Sequence, residues 1–163
     1  MLNILEIRNL DVIRSQMFNN SMIDRPTHVA WWNRKVVTDK LVEQVFIVRK
    51  KDIAIGMFRF WYDESFKAGN WGMFRDLRIN DPFSGIFMEY IALDTFFSSN
   101  INKSNEIIAQ VRKGNIIEKL HKKIGFINES DDKDWIIMRN NLSRFNNSKQ
   151  RFLRLLNSDK MIS

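Results

Sequence analysis

The sequence has 163 residues, 44% of them hydrophobic, which suits one domain with a single core. Its formal net charge of +7 favours an anionic partner such as a nucleic acid, an anionic membrane or a small polyanion. There is no cysteine, which excludes a disulfide framework, a cysteine-based zinc site and a thiol nucleophile. The longest apolar runs are too short to span a bilayer and the first residues do not resemble a signal peptide, so we expect a cytoplasmic protein without membrane insertion.

The first half of the chain is predicted to form two helices and three strands. Apolar residues at helical spacing indicate a first helix, and Asp24 followed by Pro26 is typical of the start of a second. Segments rich in Val, Ile and Phe indicate strands, two of which form a hairpin around Lys51. A turn over residues 67–70 precedes the third strand. The predicted elements are helices over residues 4–19 and 25–40 and strands over residues 44–49, 52–61 and 71–77.

The second half is predicted to alternate helices and strands. Asn80, Asp81 and Pro82 open a strongly amphipathic helix that continues to about Ser98. An apolar strand follows, then a short helix that ends at Gly125, and then two strands on either side of an acidic turn. The side chains expected on the buried side of the long helix are Phe83, Phe87, Tyr90, Ile91 and Phe97.

This order of elements predicts a mixed α/β domain built on one sheet. We expect the domain to cover residues 1–140 and a basic helical tail to cover residues 141–163. The tail carries five basic side chains and one acidic side chain. Its apolar residues Phe152, Leu155 and Leu156 predict a helix docked on the domain or on a partner.

Two segments are candidates for chemistry. Over residues 71–98 a strand, a loop and a helix follow one another. This arrangement can direct main-chain N–H groups and the positive end of the helix dipole at an anion. An ordinary strand–helix connection has the same order of elements. Over residues 113–126 a strand is followed by a short helix that carries His121. Histidine exchanges protons near neutral pH, and the chain contains only His28 and His121, either of which could be an ordinary surface residue. No nucleophile elbow supports a hydrolase, and no cluster with ligand spacing supports a metal site.

The second segment resembles the acceptor-side motif of the GNAT acetyltransferases. In that motif a strand is followed by Asn, a short helix, an aromatic residue that serves as the general acid, and Gly-Phe. Here Gly125 and Phe126 close the motif, and His121 occupies the position at which many members have Tyr. The Asn position holds Gly114, with Asn115 one residue later. The resemblance implies the GNAT acyl-CoA N-acyltransferase fold, α/β (α+β), with one mixed, mostly antiparallel sheet flanked by helices. Because the chain begins at its first helix, the usual first edge strand is not expected.

Further residues of the sequence resemble the pattern of one branch of this superfamily, the N-acetyltransferases of pseudaminic-acid biosynthesis. The enzymes of that branch act on UDP-linked 4-amino sugars. In that branch an early Arg-Asn pair, a Met, an Ile, a His and an aromatic pair occur in order, followed later by a Trp-Gly-aromatic strand. The matching residues are Arg8, Asn9, Met17, Ile23, His28, Trp31, Trp32 and Trp71-Gly72-Met73-Phe74. This resemblance implies an enzyme that moves an acetyl group from acetyl-CoA to the amino group of a nucleotide-linked amino sugar by direct attack, without a metal.

The resemblance also implies roles for individual residues. His121 would be the acid that protonates the departing CoA thiolate, and His28 a base or a substrate contact. The residues implied in binding acetyl-CoA are Met73, Phe74, Arg75, Asn80, Asp81, Phe83, Ser84, Gly85 and Asn115. Those implied in binding the acceptor are Arg8, Asn9, Met17, Trp31 and Trp71.

The phosphate loop departs from the usual pattern, and this keeps alternatives open. Phe83 stands where a glycine is usual, Pro82 lacks an N–H donor, and the carboxylate of Asp81 repels phosphate. A catalytically inactive GNAT-like domain that acts as a binding module is therefore one alternative, and an acetyltransferase for a protein N-terminus or a small amine is another. A homodimer also stays open. A nucleic-acid-binding protein is less favoured, because the strands carry no run of aromatic residues interleaved with Lys and Arg.

Overall fold

The computed structural model describes residues 2–38, 43–79, 84–99 and 104–159. The helices are α1 (Leu2–Asn9), α2 (Asp11–Arg14), α3 (Arg25–Trp32), α4 (Ser84–Ser98), α5 (Ile117–Lys123) and α6 (Leu142–Asp159), and α3 continues as a π-helical segment, Asn33–Thr38. The strands are β1 (Glu43–Lys50), β2 (Ile53–Asp63), β3 (Ala68–Arg75), β4 (Glu106–Arg112), β5 (Ile127–Asp131) and β6 (Trp135–Asn141). None of the described helices is both long enough and apolar enough to cross a bilayer.

The six strands form one sheet in the order β1-β2-β3-β4-β6-β5. Every neighbouring pair is antiparallel except β3 and β4, which are parallel. A parallel pair needs a long crossover between its strands, and α4 lies in that crossover. The predicted fold class, a mixed and mostly antiparallel sheet flanked by helices, is confirmed.

Alternation along the strands gives each face of the sheet its own apolar core. The main core lies between the sheet and helices α4 and α6, and its fully buried members include Phe96 and Phe145. A smaller second core on the other face joins Ile4 and Ile7 of α1 to Met57 of β2, with Trp31 of α3 packed against it. Helices α1 and α3 therefore cover one face of the sheet, and helices α4 and α6 cover the other.

Helix α6 packs on α4 through aromatic contacts. The ring of Phe152 stacks on Tyr90 with their centroids 4.0 Å apart, and the Tyr90 hydroxyl donates to the carbonyl of Ser148 at 2.9 Å. Phe145 on the same helix is 1% exposed. Phe145 and Phe152 thus face the domain, whereas Leu153 and basic side chains such as Arg151 and Arg154 face solvent. The side chains of Leu155 and Leu156, also predicted to dock, lie outside the described ones.

The predicted continuous helix over residues 4–19 is wrong. The chain forms two short helices separated at Leu10, whose ψ of 133° is extended. The apolar spacing does continue through this point, but the chain after α2 folds back onto α1, where Arg8 donates to the carbonyls of Asn19 and Ser21. A straight helix over residues 4–19 would hold these groups far apart, because each residue advances it by about 1.5 Å.

Two further predictions near α4 are corrected by contacts with that helix. The expected turn at residues 67–70 is placed too late, because β3 already begins at Ala68 and Gly69 lies inside the strand under the ring of Phe96. Phe87, expected on the buried side of α4, is 50% exposed. Met88 is buried instead and lies against Gly56 of β2. Because α4 is apolar on most of its circumference, its sequence does not specify which side packs on the sheet. The glycines of the sheet decide this, since they let Met88 and Phe96 approach closely.

The close packing of Phe96 on Gly69 predicts that a side chain at this position destabilises the protein. A Cβ at this position would lie 2.3 Å from two ring carbons of Phe96, so we expect Gly69→Ala to cost about 1–3 kcal/mol of unfolding free energy in a denaturant titration. Gly72→Ala in the same strand is the matched control. Its nearest neighbour, Arg59 Nε, is 3.4 Å away, so we expect a change within about 1 kcal/mol. Equal effects of the two substitutions would contradict the packing of α4 on β3.

Candidate active site

The parallel strands β3 and β4 part soon after they meet. Their described pairing consists of Gly69 with Ile107 and Asn70 with Ile108. Beyond Asn70, β3 keeps its antiparallel pairing with β2, and beyond Ile108, β4 keeps its pairing with β6. The two strands therefore enclose a V-shaped opening, with its apex at these two pairs and its mouth at the carboxyl ends of both strands.

His121 lies beside the apex of this opening, on the α4 side of the sheet. Its ring is 5.4 Å from that of Trp71, the first residue of β3 beyond the last parallel pair, and it stacks on Phe126 at 4.8 Å. His121 is only 5% exposed. The alternative of a solvated surface histidine is therefore wrong, and the structure brings together two residues, His121 and Trp71, that the sequence predicted for the site.

Glu89 of α4 is the partner of His121, and sequence reasoning missed it. Its Oε2 lies 3.1 Å from His121 Nδ1, it is fully buried, and no described residue bonds its other carboxylate oxygen. Burial raises the pKa of the Glu89 carboxyl, and the nearby imidazole opposes that rise. The contact with Glu89 engages Nδ1 of the ring and leaves Nε2 out of it. One sequence signal existed, since Glu89 is an acidic residue inside the apolar run 86–93.

Arg75 brings a positive charge to the start of α4. A Cβ built on Gly85, in the first turn of this helix, would lie 3.3 Å from Arg75 Nε. The guanidinium thus lies against the helix end whose dipole also attracts anions. Ser84 is the first residue of α4, and the predicted phosphate-loop residues Asn80, Asp81 and Phe83 lie outside the described residues.

Met73 and Phe74 point to opposite faces of the sheet. Met73 packs against the main core beside α4, whereas Phe74 packs against the second core. Of these two residues, only Met73 lies on the same side of the sheet as His121. Trp71 and Arg75 lie on that side as well. Trp71, predicted to bind the acceptor, is 6% exposed and its ring lies between those of Phe60 and Phe126.

Asn115 has a local contact at the start of α5. Its Oδ1 accepts a hydrogen bond at 3.0 Å from the main-chain N–H of Ile117, the first residue of that helix. An Asn side chain in this position satisfies an N–H group that the helix leaves open. The side chain predicted to bind CoA is therefore engaged in starting the helix that carries His121.

On the opposite face, Arg8 and Asn9 hold the segment between α2 and α3. Arg8 donates to the carbonyls of Asn19 and Ser21, both at 2.6 Å. Asn9 pairs with the main chain of Ile23 twice, donating to its carbonyl at 2.7 Å and accepting from its N–H at 3.0 Å. These residues were predicted to contact the acceptor, and the structure has their polar atoms bonded to this segment.

The remaining predicted acceptor-side residues lie on α3 or in the segment before it. Asp24 accepts from the N–H of Thr27 at 2.7 Å and begins the helix as predicted. His28 is 6% exposed, and its ring stacks on that of half-buried Trp31 at 5.7 Å. Met17 lies in the turn after α2 and is half-buried. His28 and His121 are thus on helices that cover opposite faces of the sheet.

A charged cluster lies on the same face as α3, beside the opening. Arg59 of β2 stands opposite Gly72 of β3 and donates to Glu43 at 2.6 Å, while its guanidinium lies 4.7 Å from the ring centre of Trp61. Lys35 approaches the same carboxylate at 3.5 Å. The cluster has one more positive than negative charge, and Gly72 leaves the Arg59 side chain room over the strand that borders the V. No group of three metal-ligating side chains occurs in the part of the chain that the structure describes.

Neither a scan against protein-family models nor a search of curated proteins finds a match. Solved structures do match. FdhC, described as a nucleotide-linked sugar GNAT, is 19% identical with a TM-score of 0.73 over 93% of this chain and 86% of that one. The Campylobacter jejuni N-acetyltransferase PseH in complex with acetyl coenzyme A is 20% identical with a TM-score of 0.62 over 75% and 82%. The Vibrio cholerae spermidine N-acetyltransferase in complex with CoA and spermine is 16% identical with a TM-score of 0.74 over 87% and 89%. This chain therefore has the fold of the GNAT acetyltransferases.

Proposed function

We propose that this protein is an N-acetyltransferase that transfers an acetyl group from acetyl-CoA to the amino group of a nucleotide-linked sugar. One observation carries the proposal, namely the V between β3 and β4 with the buried His121–Glu89 pair at its apex. The likeness in fold to structures solved with acetyl coenzyme A or CoA supports the choice of cosubstrate.

Two features suit acetyl-CoA, namely the main chain of β3 along the V and the positive charge of Arg75 at the start of α4. Strands in a sheet normally bond on both sides, so the β3 main chain beyond Asn70 presents groups to the V that the amides of a pantetheine arm can pair with. Arg75 and the first turn of α4 would hold the pyrophosphate. In the proposed site, Ser84 and Gly85 belong to that turn.

His121 would act as the general acid. Acetyl-CoA supplies the acetyl group as a thioester, and when the acceptor nitrogen forms its bond to the carbonyl carbon the C–S bond breaks and sulfur needs a proton. His121 Nε2 is the group we assign to deliver it, because Glu89 holds Nδ1 and so orients the ring. His28, on the opposite face, is the proposed base or acceptor contact.

Charge favours an anionic acceptor over a polyamine. The chain carries a net charge of +7, and the cluster beside the V places Arg59 next to Gly72 with an excess positive charge. Cations near the acceptor path attract the phosphates of a nucleotide-linked sugar and repel a polyamine. The fold likeness to a nucleotide-linked sugar GNAT points to the same class.

Acetyl-CoA should stabilise the protein against heat. A ligand at 100 times its dissociation constant adds about 2.7 kcal/mol, which for a domain of this size is a rise of roughly 5–10 °C in Tm. ATP at equal ionic strength is the control and should have a smaller effect. No shift at millimolar acetyl-CoA would contradict the proposal, whereas a shift without transfer to any amine would identify an inactive binding module.

His121→Gln should lower kcat by about 10²-fold or more while leaving the Kd of acetyl-CoA within a few-fold, since only proton delivery is lost. Steady-state kinetics and calorimetry measure the two quantities. Ser148→Ala is the control for a loosened α5, because the Ser148 hydroxyl bonds to the carbonyl of Ile124 directly after that helix. A loss of turnover in the control as large as in His121→Gln would remove the acid role.

Glu89→Gln should change how stability depends on pH. The raised pKa means that the folded state holds the Glu89 proton more tightly than the unfolded state, so this contribution is full below the ordinary glutamate pKa and is lost as pH rises through the folded-state value. Gln has no such proton. The unfolding free energy of the wild type minus that of Glu89→Gln should therefore fall from pH 5 to pH 8 in denaturant titrations.

Glu118→Gln is the matched control for this measurement. Glu118 bonds Lys122 on the surface of α5 at 2.6 Å, and this contact lowers the pKa of its carboxyl. Its contribution to stability is present above the ordinary glutamate pKa, so the difference from wild type should stay flat over the same range. A flat difference for Glu89→Gln as well would show that the buried pair does not hold a proton in this range.

A further inference from the structure

The segment between α2 and α3 is anchored to the sheet at the open end of β4. Arg112, the last residue of β4, donates to the carbonyl of Ser15 at 2.6 Å, and Arg14 donates to that of Asn20 at 3.2 Å. The hydrogen bonds of Arg8 and Asn9 hold the rest of the segment from the side of α1. Side chains from two separate parts of the fold thus fix one short stretch of irregular backbone.

This segment crosses the mouth of the V. Helix α1 packs on β2 through Ile4 and Ile7, beside the carboxyl end of β3, because Gly56 of β2 pairs with Arg75. The contact from Arg112 lies at the carboxyl end of β4. The segment therefore joins the two arms of the V, with Ser15 at the carboxyl end of β4 and Ile23 beside α1, on the face opposite α4 and α5.

The anchored segment exposes an aromatic ring beside a tryptophan. Phe18 is 81% exposed and its ring centroid is 5.5 Å from that of Trp135, which pairs with Arg112 in the sheet. Ile136 and Met138 of β6 belong to the main core, so the alternation of the strand directs Trp135 to the face opposite α4, where the segment lies. Met22 on the same segment is 73% exposed. Leaving large apolar groups in water at the mouth of a site is unfavourable unless a ligand covers them.

The charges on the strand side of this aromatic pair, around Trp135, balance. Lys113 pairs with Asp131 at 3.1 Å, and the turn before Trp135 carries further charges of both signs. The charged residues within three positions of either Arg112 or Trp135 are Arg112, Lys113, Asp132, Lys133 and Asp134, and with Asp131 they comprise three cations and three anions. Beside Phe18, Arg14 pairs with Asp11, and Arg8 is bonded to the carbonyls of Asn19 and Ser21. The exposed ring of Phe18 is thus the group that this surface offers a ligand.

The distance also matches a nucleotide-linked acceptor. From the apex residue Ile108 to Arg112 the strand advances four residues, about 13 Å. If the reacting amine lies beside His121 at the apex, the far end of an extended sugar–diphosphate–nucleoside reaches the open end of β4. The aromatic pair lies at that end.

We propose that Phe18 and Trp135 form the subsite that receives the nucleobase of the acceptor, by stacking on its planar face. The inference rests on the proposed function and adds the recognition element that distinguishes a nucleotide-linked sugar from a free amino sugar. Stacking of a base on an aromatic side chain tolerates different bases, so the subsite recognises the class of acceptor.

The test is binding of uridine diphosphate against inorganic pyrophosphate, measured by calorimetry on protein saturated with CoA so that the CoA site is closed to both probes. We expect wild-type protein to bind uridine diphosphate at least tenfold more tightly than pyrophosphate. Phe18→Ala should reduce that preference by about tenfold, and Phe18→Trp should retain it. Ile53→Ala, a 66% exposed apolar residue at the start of β2, is the matched control and should retain it too.

The outcomes separate the inference from the function on which it rests. Equal binding of the two probes to wild-type protein, or a preference that survives both Phe18→Ala and Trp135→Leu, overturns the nucleobase subsite. A loss of dimer in Phe18→Ala, seen by sedimentation, would identify a second copy of the chain as the occupant and also overturn it. Failure of acetyl transfer to every amine would instead overturn the proposed function, and the binding preference can be read without it.

Discussion

The parallel pairing of β3 and β4 over two residue pairs is the constraint on which the site depends. Each strand is held on its other side by an antiparallel ladder, β3 by β2 and β4 by β6, so the two can diverge without losing their places in the sheet. A sheet normally satisfies the main-chain groups of its inner strands from both sides. Here the inner edge of β3 beyond Asn70 has no described strand partner, and a ligand with amide groups of its own is suited to take that place.

The divergence also explains why a titratable pair lies in the core. His121 comes from α5, which follows β4, and Glu89 comes from α4, which follows β3, so the two side chains meet where the helices of the two arms approach each other. Burying a carboxylate is unfavourable, and an apolar contact between the helices would cost less. A pair that costs stability in this way is consistent with the acid role that we propose for His121.

The opposite face uses polar side chains to position backbone. Arg8 and Asn9 bond to the segment before α3 from one side and Arg112 bonds to it from the other, which fixes an irregular stretch across the mouth of the V. This accounts for an early Arg-Asn pair in physical terms, since both side chains satisfy main-chain groups that neither a helix nor a strand would satisfy there. The same anchoring holds Phe18 beside Trp135.

Local signals in the sequence determined much of the architecture. The hairpin of β1 and β2, the strand β4 and the start of α3 at Asp24 depend on neighbouring residues, through strand-forming runs, turn residues and a capping side chain. The Gly-Phe motif after His121 indicated the fold in a different way, through its resemblance to the acceptor-side motif of the GNAT acetyltransferases. The motif could not say what His121 touches.

Only the tertiary structure decided the contacts between residues distant in the sequence. The break at Leu10, the exposure of Phe87 and the entry of Gly69 into β3 follow from long-range hydrogen bonds and from the packing of Phe96 and Met88 against glycines. Glu89 and His121 are 32 residues apart, and no local pattern couples them. The sequence by itself thus determined the elements and their order, because capping, turns and hydrophobic periodicity act over a few residues. The site was decided by the divergence of two parallel strands, because their spacing depends on the whole sheet.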